Sequence, residues 1–144
     1  MKIIVQAPEL GEEDRITIEV KQITPRILKV IEMLSEPEHL TVFRNSEALL
    51  IPANQIYYIE TVDARTYVYT KDEVFQSRMR LLELEEIFDK GNFFRASKSA
   101  IINLSNVKSV APASGARFQA TLSNDERVII SRQFVPKLKE AFGL

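Results

Sequence analysis

Three short polar stretches of the sequence interrupt apolar runs, and their side chains could bind a polyanion. Residues 95–99 read RASKS between FF and AIINL, residues 131–133 read SRQ after RVII, and Arg65-Thr66 lie between two strand-like runs. Arginine and lysine can donate to guanine O6 and N7, while serine hydroxyls and backbone N–H groups suit phosphate oxygens. One such loop alone is more typical of a solvated surface. Three of them favour the hypothesis that their tips bracket a duplex.

Net charge is divided unevenly along the chain. The 144 residues sum to −1, yet residues 1–89 carry 10 Lys/Arg against 17 Asp/Glu, a net −7, and residues 90–144 carry 9 against 3, a net +6. Uneven charge can arise by chance. The division nevertheless favours a protein with one face that meets an anion and another that does not.

The residue types needed for catalysis or metal binding are scarce in this sequence. It has no cysteine and a single histidine, His39, which lies in a proline-bounded loop and is interpreted as a solvated side chain. A catalytic nucleophile needs an adjacent base, a metal site needs clustered ligands, and the four glycines form no phosphate-cradling motif. The sequence therefore predicts a protein that is not an enzyme and that has no metal site and no cofactor.

Composition and length indicate one globular domain with an extension. The chain is 45% apolar and 27% charged, which is ordinary for a globular protein. No window approaches the roughly 18 apolar residues of a membrane span, and the N-terminus lacks the basic-then-apolar pattern of a signal peptide. The sequence therefore predicts a cytoplasmic protein.

Residues 1–39 are predicted to form an extension of two strands and a helix. MKIIVQ reads as a short strand, and RITIEVK alternates apolar and polar residues, as a second strand would. Thr24 and Pro25 suit the N-cap and the first position of a helix whose apolar residues recur at helical spacing. The loop SEPEHL, residues 35–40, marks the expected boundary with the rest of the chain.

Residues 40–144 are predicted to form a mainly β domain with short helices. Runs of β-branched and aromatic residues, broken by polar turns, indicate strands before and after the segment LLELEEIF. That segment predicts a helix with Leu81, Leu84 and Phe88 on its buried face, and with three carboxylates, Glu83, Glu85 and Glu86, facing water. A closing helix is expected to begin at Ser131 and to direct three side chains inward: Phe134, Leu138 and Phe142.

The order of these segments resembles the LytTR DNA-binding domain of bacterial transcription regulators. The resemblance covers roughly residues 40–144 and rests on IYYIET, TYVYT, LLELEEIF, FFRASKSAIINLSNVKSV and RVIISRQFVPKLK. It implies a fold of elongated antiparallel β-sheets with short helices. It also implies that loops, rather than a recognition helix, enter successive major grooves of DNA at paired direct-repeat half-sites.

The resemblance carries specific roles onto residues of this chain. It implies base contacts by Arg132, by Lys98 and by either Arg65 or Thr66. Phosphate contacts are expected from a second set: Arg95, Ser97, Ser99, Arg117 and Gln133. Many family members carry His or Asn near positions 97 and 98, and lysine is a less geometrically selective donor than arginine, so the base preferred there stays open. Asn103 is assigned a structural role, in which its amide satisfies turn backbone near a strand end.

The resemblance also implies partners. The expected ligand is double-stranded promoter DNA, and the chain looks like the small stand-alone LytTR regulators of Gram-positive bacteria. Residues 1–39 take the place of a receiver domain and are expected to serve a homodimer or a small membrane-protein inhibitor. The alternative is a protein–protein adaptor on the same scaffold without DNA binding. The cations at positions 95, 98 and 132 favour the DNA regulator over the adaptor.

Overall fold

The computed structural model describes residues 1–34, 39–89 and 91–144. This part of the chain forms a mainly β fold of two antiparallel sheets with three short α-helices, as the sequence predicts. The helices are α1 (Pro25–Leu34), α2 (Leu81–Ile87) and α3 (Val135–Phe142). None of the helices in the described part is long and apolar enough to cross a membrane.

Within these described ranges, ten strands build the two sheets. The seven-stranded sheet A has the order β2-β1-β5-β4-β3-β7-β6, and the three-stranded sheet B has the order β10-β9-β8. Sheet A contains β1 (His39–Arg44), β2 (Glu47–Pro52), β3 (Tyr58–Val62), β4 (Arg65–Tyr69), β5 (Val74–Ser77), β6 (Phe93–Ser97) and β7 (Ala100–Asn103). Sheet B contains β8 (Val107–Ala113), β9 (Arg117–Leu122) and β10 (Arg127–Ile130).

The N-terminal extension differs from its prediction. Helix α1 forms as expected, and the Ile27 N–H donates to Thr24 Oγ1 at 3.3 Å, so Thr24 is the N-cap. The two strands predicted at residues 1–6 and 15–21 are wrong, because residues 1–24 contain no strand. Their side chains are exposed, and an isolated two-stranded hairpin with no buried face is marginally stable in water. The boundary loop SEPEHL falls largely on residues 35–38, which lie outside the described residues.

Strand β7 separates two hydrophobic cores. All four of its residues are buried. Ile101 packs in a cluster formed by the sheet A face and α2, whereas Ala100 and Ile102 pack in a second cluster with sheet B and α3. Neighbouring residues of a strand point to opposite faces, so β7 is a structural element shared by both cores. This accounts for the unbroken apolar run of the sequence after the RASKS stretch.

The two predicted helical faces have different outcomes. In α2 the prediction of the buried face is confirmed, because Leu81, Leu84 and the adjoining Phe88 are buried in the first core. In α3 Leu138 is fully buried, but Phe142 is 41% exposed, so its predicted inward position is wrong. Helix α3 ends immediately after Phe142, at a Gly143 with φ of 67°.

The structural role predicted for Asn103 is confirmed. This side chain is 2% exposed, its Nδ2 donates to the Ile56 carbonyl at 2.9 Å, and its Oδ1 accepts the Ser105 N–H at 3.0 Å. The amide therefore joins the end of β7 to the turn that precedes β3. A buried amide with both ends hydrogen-bonded stabilises the fold, and it is not available to DNA.

The sheets also meet at the ends of β3 and β4 that lie away from their connecting turn. The rings of Tyr58 and Tyr69 stack at 4.1 Å, and Asn124 Nδ2 of the β9–β10 turn donates to the Lys71 carbonyl at 3.2 Å. Burial raises the pKa of Tyr58, and a hydrogen bond to Glu126 and its charge raise it further. Burial and the charges of Glu60 and Glu126 raise the pKa of Tyr69. The β9–β10 turn is thus held against two neutral phenols.

The raised pKa of Tyr58 predicts a loss of stability at alkaline pH. In the unfolded chain a tyrosine ionises near its ordinary pKa of about 10, whereas the folded state resists ionisation. The contribution of the neutral Tyr58 phenol to the free energy of unfolding is therefore complete below about pH 10, and it is lost as pH rises above that value. Urea unfolding at a series of pH values should show a smaller alkaline loss in Tyr58→Phe and Glu126→Gln than in the unmodified protein. An equal loss in all three proteins would contradict this prediction.

Candidate nucleic-acid interface

Two hairpin tips lie side by side at one end of sheet A. The β3–β4 turn consists of Asp63 and Ala64, both left-handed with φ of 50° and 61°, as a tight two-residue hairpin turn requires. The β6–β7 turn consists of Lys98 and Ser99. The Thr61 N–H donates to the Ser99 carbonyl at 2.8 Å, so a backbone hydrogen bond connects the two tips.

A bulge in β6 brings a third polar stretch to the same end. The β6–β7 register shifts between Arg95 and Ser97, at the fully buried Ala96. The Ala96 carbonyl then accepts the Ser131 N–H at 2.8 Å and the Ser131 Oγ at 3.3 Å. A bulge leaves its extra residue outside the regular ladder. Sheet B is therefore joined to the tip of β6–β7 at the point where β10 ends.

Ser131 does not begin the closing helix, which corrects its prediction. Its backbone is extended, with φ of −69° and ψ of 154°, and a 3-10 turn, Arg132–Phe134, follows before α3. This geometry turns the chain sharply after Ser131. It leaves Arg132 and Gln133 exposed at the junction instead of within a regular helix.

A single groove contains most of the residues that the sequence selected. It is lined by Ser97, Lys98, Ser99, Ser131, Arg132 and Gln133. Lys98 and Arg132 are both exposed, so one ammonium group and one guanidinium group are presented together. Arg117 lies near the same end, because it directly precedes Phe118, which pairs with Ile130, the last residue of β10 before Ser131. Its guanidinium donates to the Ser114 carbonyl at 2.9 Å.

Arg65 and Thr66, which the sequence left as alternatives, differ in their exposure to solvent. Arg65 is exposed beside the β3–β4 turn. Thr66 is 6% exposed, and its hydroxyl lies 3.4 Å from the hydroxyl of Thr61 across the strand pair. Successive strand residues point to opposite faces, so the two side chains lie on opposite sides of β4, with Arg65 exposed and Thr66 buried.

Arg95 occupies a different environment from the other cations. Its side chain is 18% exposed, and each of its three nitrogens donates within the chain. Nε donates to the Ser97 carbonyl at 2.6 Å, one terminal nitrogen donates to the Lys98 carbonyl at 2.7 Å, and the other pairs with the Glu85 carboxylate. Arg95, for which the sequence predicts a phosphate contact, thus already uses three of its five N–H groups within the chain. The same ion pair corrects the expectation that Glu85 simply faces water.

The hydroxyls of Ser97 and Ser99 take part in the turn itself. Ser97 Oγ accepts the Ser99 N–H at 3.1 Å and lies 3.3 Å from Ser99 Oγ. Short side chains of this kind often stabilise turns by bonding to backbone two residues away. The groove therefore includes two serines that shape the turn, of which Ser99 is exposed and Ser97 is half-buried.

Several residues that form this end of the molecule were missed by sequence reasoning. Thr61 and Ala96 act through backbone groups, and no side-chain pattern could have indicated them. Glu85 lies ten positions before its partner Arg95 in a different element. Its sequence context, a run of carboxylates on a helix, is the same as that of the exposed Glu86.

Comparison with known proteins relates residues 46–143 to the LytTr DNA-binding domain, whose family profile they match. The chain is 26% identical over 110 residues to the transcriptional regulatory protein YpdB of Escherichia coli O6:H1, covering 76% of this chain and 45% of that protein. It is 23% identical over 139 residues to the sensory transduction protein LytT of Bacillus anthracis, covering 96% of this chain and 55% of that protein. The chain thus spans about half the length of these curated relatives.

A solved structure has the same fold. The LytTr DNA-binding domain of a Bacillus cereus protein superposes with a TM-score of 0.71 and 24% sequence identity, covering 75% of this chain and 99% of that chain. The match leaves a quarter of this chain uncovered.

The Ser131–Ala96 hydrogen bond predicts a difference between two substitutions. Ser131→Pro is compatible with the φ of −69°, but it removes the N–H that satisfies the buried Ala96 carbonyl. We expect it to reduce the free energy of unfolding by about 1–3 kcal/mol. Ser131→Ala keeps that N–H and should cost at most about 1 kcal/mol. Urea denaturation of both variants measures the difference, and equal losses would show that this backbone bond does not hold sheet B in place.

Proposed function

Because the chain belongs to the LytTR family of DNA-binding domains, we propose that it is a sequence-specific transcription regulator. Its loops read the major groove of repeated half-sites in promoter DNA, and it acts in the cytoplasm, where bacterial promoters are found. The observation that carries this proposal is the shared groove in which exposed Lys98 and Arg132 lie at one end of two connected sheets. The family membership supports DNA as the ligand, and the groove supports the site.

The proposed base-contacting residues are Arg132, Lys98 and Arg65. Each is exposed on a turn or at a junction, and each can donate to the acceptors of guanine in the major groove. Thr66 is left out because it is buried beneath the β3–β4 tip. Arginine presents a planar fork of donors and lysine a single ammonium group. We therefore expect Arg132 to contribute more to discrimination between bases than Lys98.

A second set of residues is proposed to hold the phosphate backbone. Arg117, Gln133, Ser97 and Ser99 surround the groove or its neighbouring strand end. Contacts of this kind fix the register of a protein on DNA without reading its sequence. Arg117 is already oriented by its bond to the Ser114 carbonyl and by a 3.2 Å contact with the Ser114 hydroxyl. That ordering lowers the conformational cost of placing its charge beside a phosphate.

The proposed regulator also contains an N-terminal extension with a separate role. Most of the exposed large apolar side chains among the described residues belong to residues 1–34, whereas the DNA-binding residues all lie beyond residue 64. We assign to this extension the formation of a homodimer and the docking of the small membrane-protein inhibitor that the family resemblance implies. Residues 40–144 then carry DNA binding.

Arg132→Ala should weaken binding to the protein's own promoter DNA by about 1–3 kcal/mol, the range for one good base contact. Binding to scrambled DNA should change little. Fluorescence-anisotropy titrations at two salt concentrations provide the measurement. The matched control is Lys108→Ala, which removes one exposed positive charge at the other end of β8 and sheet B.

The same titrations separate base contacts from phosphate contacts. Arg117→Ala should weaken promoter and scrambled DNA alike and should reduce the slope of log K against log salt by about 0.9. Unaltered promoter binding by Arg132→Ala would remove Arg132 from the base-contacting set. Absence of any DNA binding by the unmodified protein, even at low salt, would favour the protein–protein adaptor instead.

Deletion of residues 1–38 tests the assignment of the extension. We expect the truncated protein to lose self-association. Each DNA-binding domain should still prefer promoter DNA over scrambled DNA. Sedimentation equilibrium measures the oligomeric state of both proteins, and a single half-site probe measures the affinity of one domain. An unchanged oligomeric state, together with an unchanged response to a membrane-protein inhibitor, would contradict this assignment.

A further inference from the structure

We infer that Arg95 is a positioning residue for the base-reading turn and that Glu85 of α2 holds it in place. This inference rests on the proposed function, because it explains how Lys98 is oriented toward DNA. The guanidinium of Arg95 donates to the carbonyls of Ser97 and Lys98 and pairs with the Glu85 carboxylate. Arg95 therefore connects one helix to two consecutive carbonyls, that of Ser97 just before the turn and that of Lys98 within it.

Helix α2, which carries Glu85, is held in place by packing against the first core. Its Leu84 is fully buried in the first core, and the rings of Phe88 and Phe93 stack at 4.1 Å between the end of α2 and the start of β6. Glu85 thus projects from an element that packing has already fixed, next to the strand that carries Arg95. Charge-assisted hydrogen bonds to a fixed carboxylate are short and directional, so they restrict the rotamer of the arginine.

The turn needs such a support because its regular pairing is interrupted. The bulge at Ala96 removes one residue from the β6–β7 ladder just before the turn. The carbonyls of Ser97 and Lys98 are then satisfied by Arg95. The planar guanidinium offers donors in fixed directions, and a lysine cannot reproduce these three contacts with one ammonium group. The geometry thus ties the backbone of Lys98, and with it the direction of its side chain, to the side chain of Arg95.

This role differs measurably from a phosphate contact. If Arg95 bound phosphate, Arg95→Lys would keep the charge and retain most of the affinity. Glu85→Gln, which removes a negative charge near the DNA, would strengthen binding to all DNA. A positioning role predicts the opposite result for both variants. Each should weaken promoter binding about tenfold, with scrambled DNA changed less than about twofold and the salt slope unchanged.

Anisotropy titrations of the full chain with promoter and scrambled DNA, at two salt concentrations, test this inference. Glu86→Gln is the matched control, because it removes the same charge from an exposed neighbouring position of α2, and it should bind as the unmodified protein does. Near-normal promoter binding by Arg95→Lys would overturn the inference. So would equal or tighter binding of both DNAs by Glu85→Gln. Circular dichroism and thermal unfolding ensure that every titration is done on folded protein.

A second measurement does not depend on DNA. Hydrogen–deuterium exchange of the free protein should be faster in residues 96–100 of Glu85→Gln and Arg95→Lys, with no change in the distant β1–β2 hairpin, residues 39–52. Unchanged exchange in residues 96–100 in both variants would overturn the inference. Failure of the unmodified protein to prefer promoter DNA would instead contradict the proposed function. In that case the exchange result by itself would decide whether Arg95 positions the turn.

Discussion

The two-sided burial of β7 is the constraint on which this end of the molecule depends. Its side chains alternate between two cores, with Ile101 against α2 and Ile102 against sheet B and α3. A strand buried on both faces cannot shift its register without exposing apolar groups or burying polar ones. The turn that leads into β7 therefore has a fixed position relative to both sheets. The polar residues of that turn are presented from a strand with little freedom to move.

The hydrogen bonds at the same end extend this constraint to the neighbouring segments. The Thr61 N–H binds the Ser99 carbonyl, and Ser131 binds the Ala96 carbonyl. Backbone groups rather than long side chains make these connections. Forming them therefore orders the segments with little loss of side-chain conformational entropy. Three segments distant in sequence are thus spaced by the fold before a ligand arrives. Affinity is greater when this ordering cost does not have to be met during binding.

The sequence predicts the sheets better than it predicts the positions of individual polar side chains. Apolar alternation indicates most of the strands, and the spacing of Leu81 and Leu84 indicates the buried face of α2, because those patterns arise from burial itself. The alternation at residues 15–21 fails as a strand prediction. It specifies an apolar face, but the described part of the chain provides no neighbouring strand or helix that buries this face. The different exposures of Arg65 and Thr66 could not be predicted without the register that the β3–β4 turn imposes.

The cations of the RASKS stretch show why local sequence cannot assign roles at a binding site. Arg95 and Lys98 are three positions apart and carry the same charge, yet only Lys98 is exposed in the groove, while Arg95 is paired with Glu85. A paired and largely buried arginine adds little net charge to the proposed DNA-binding surface. We therefore infer that its effect on binding acts through the turn that it holds. Net charge along the chain is consequently a guide to the class of ligand. Which cations could contact bases and which position the turn depends on which N–H donors already form hydrogen bonds within the fold.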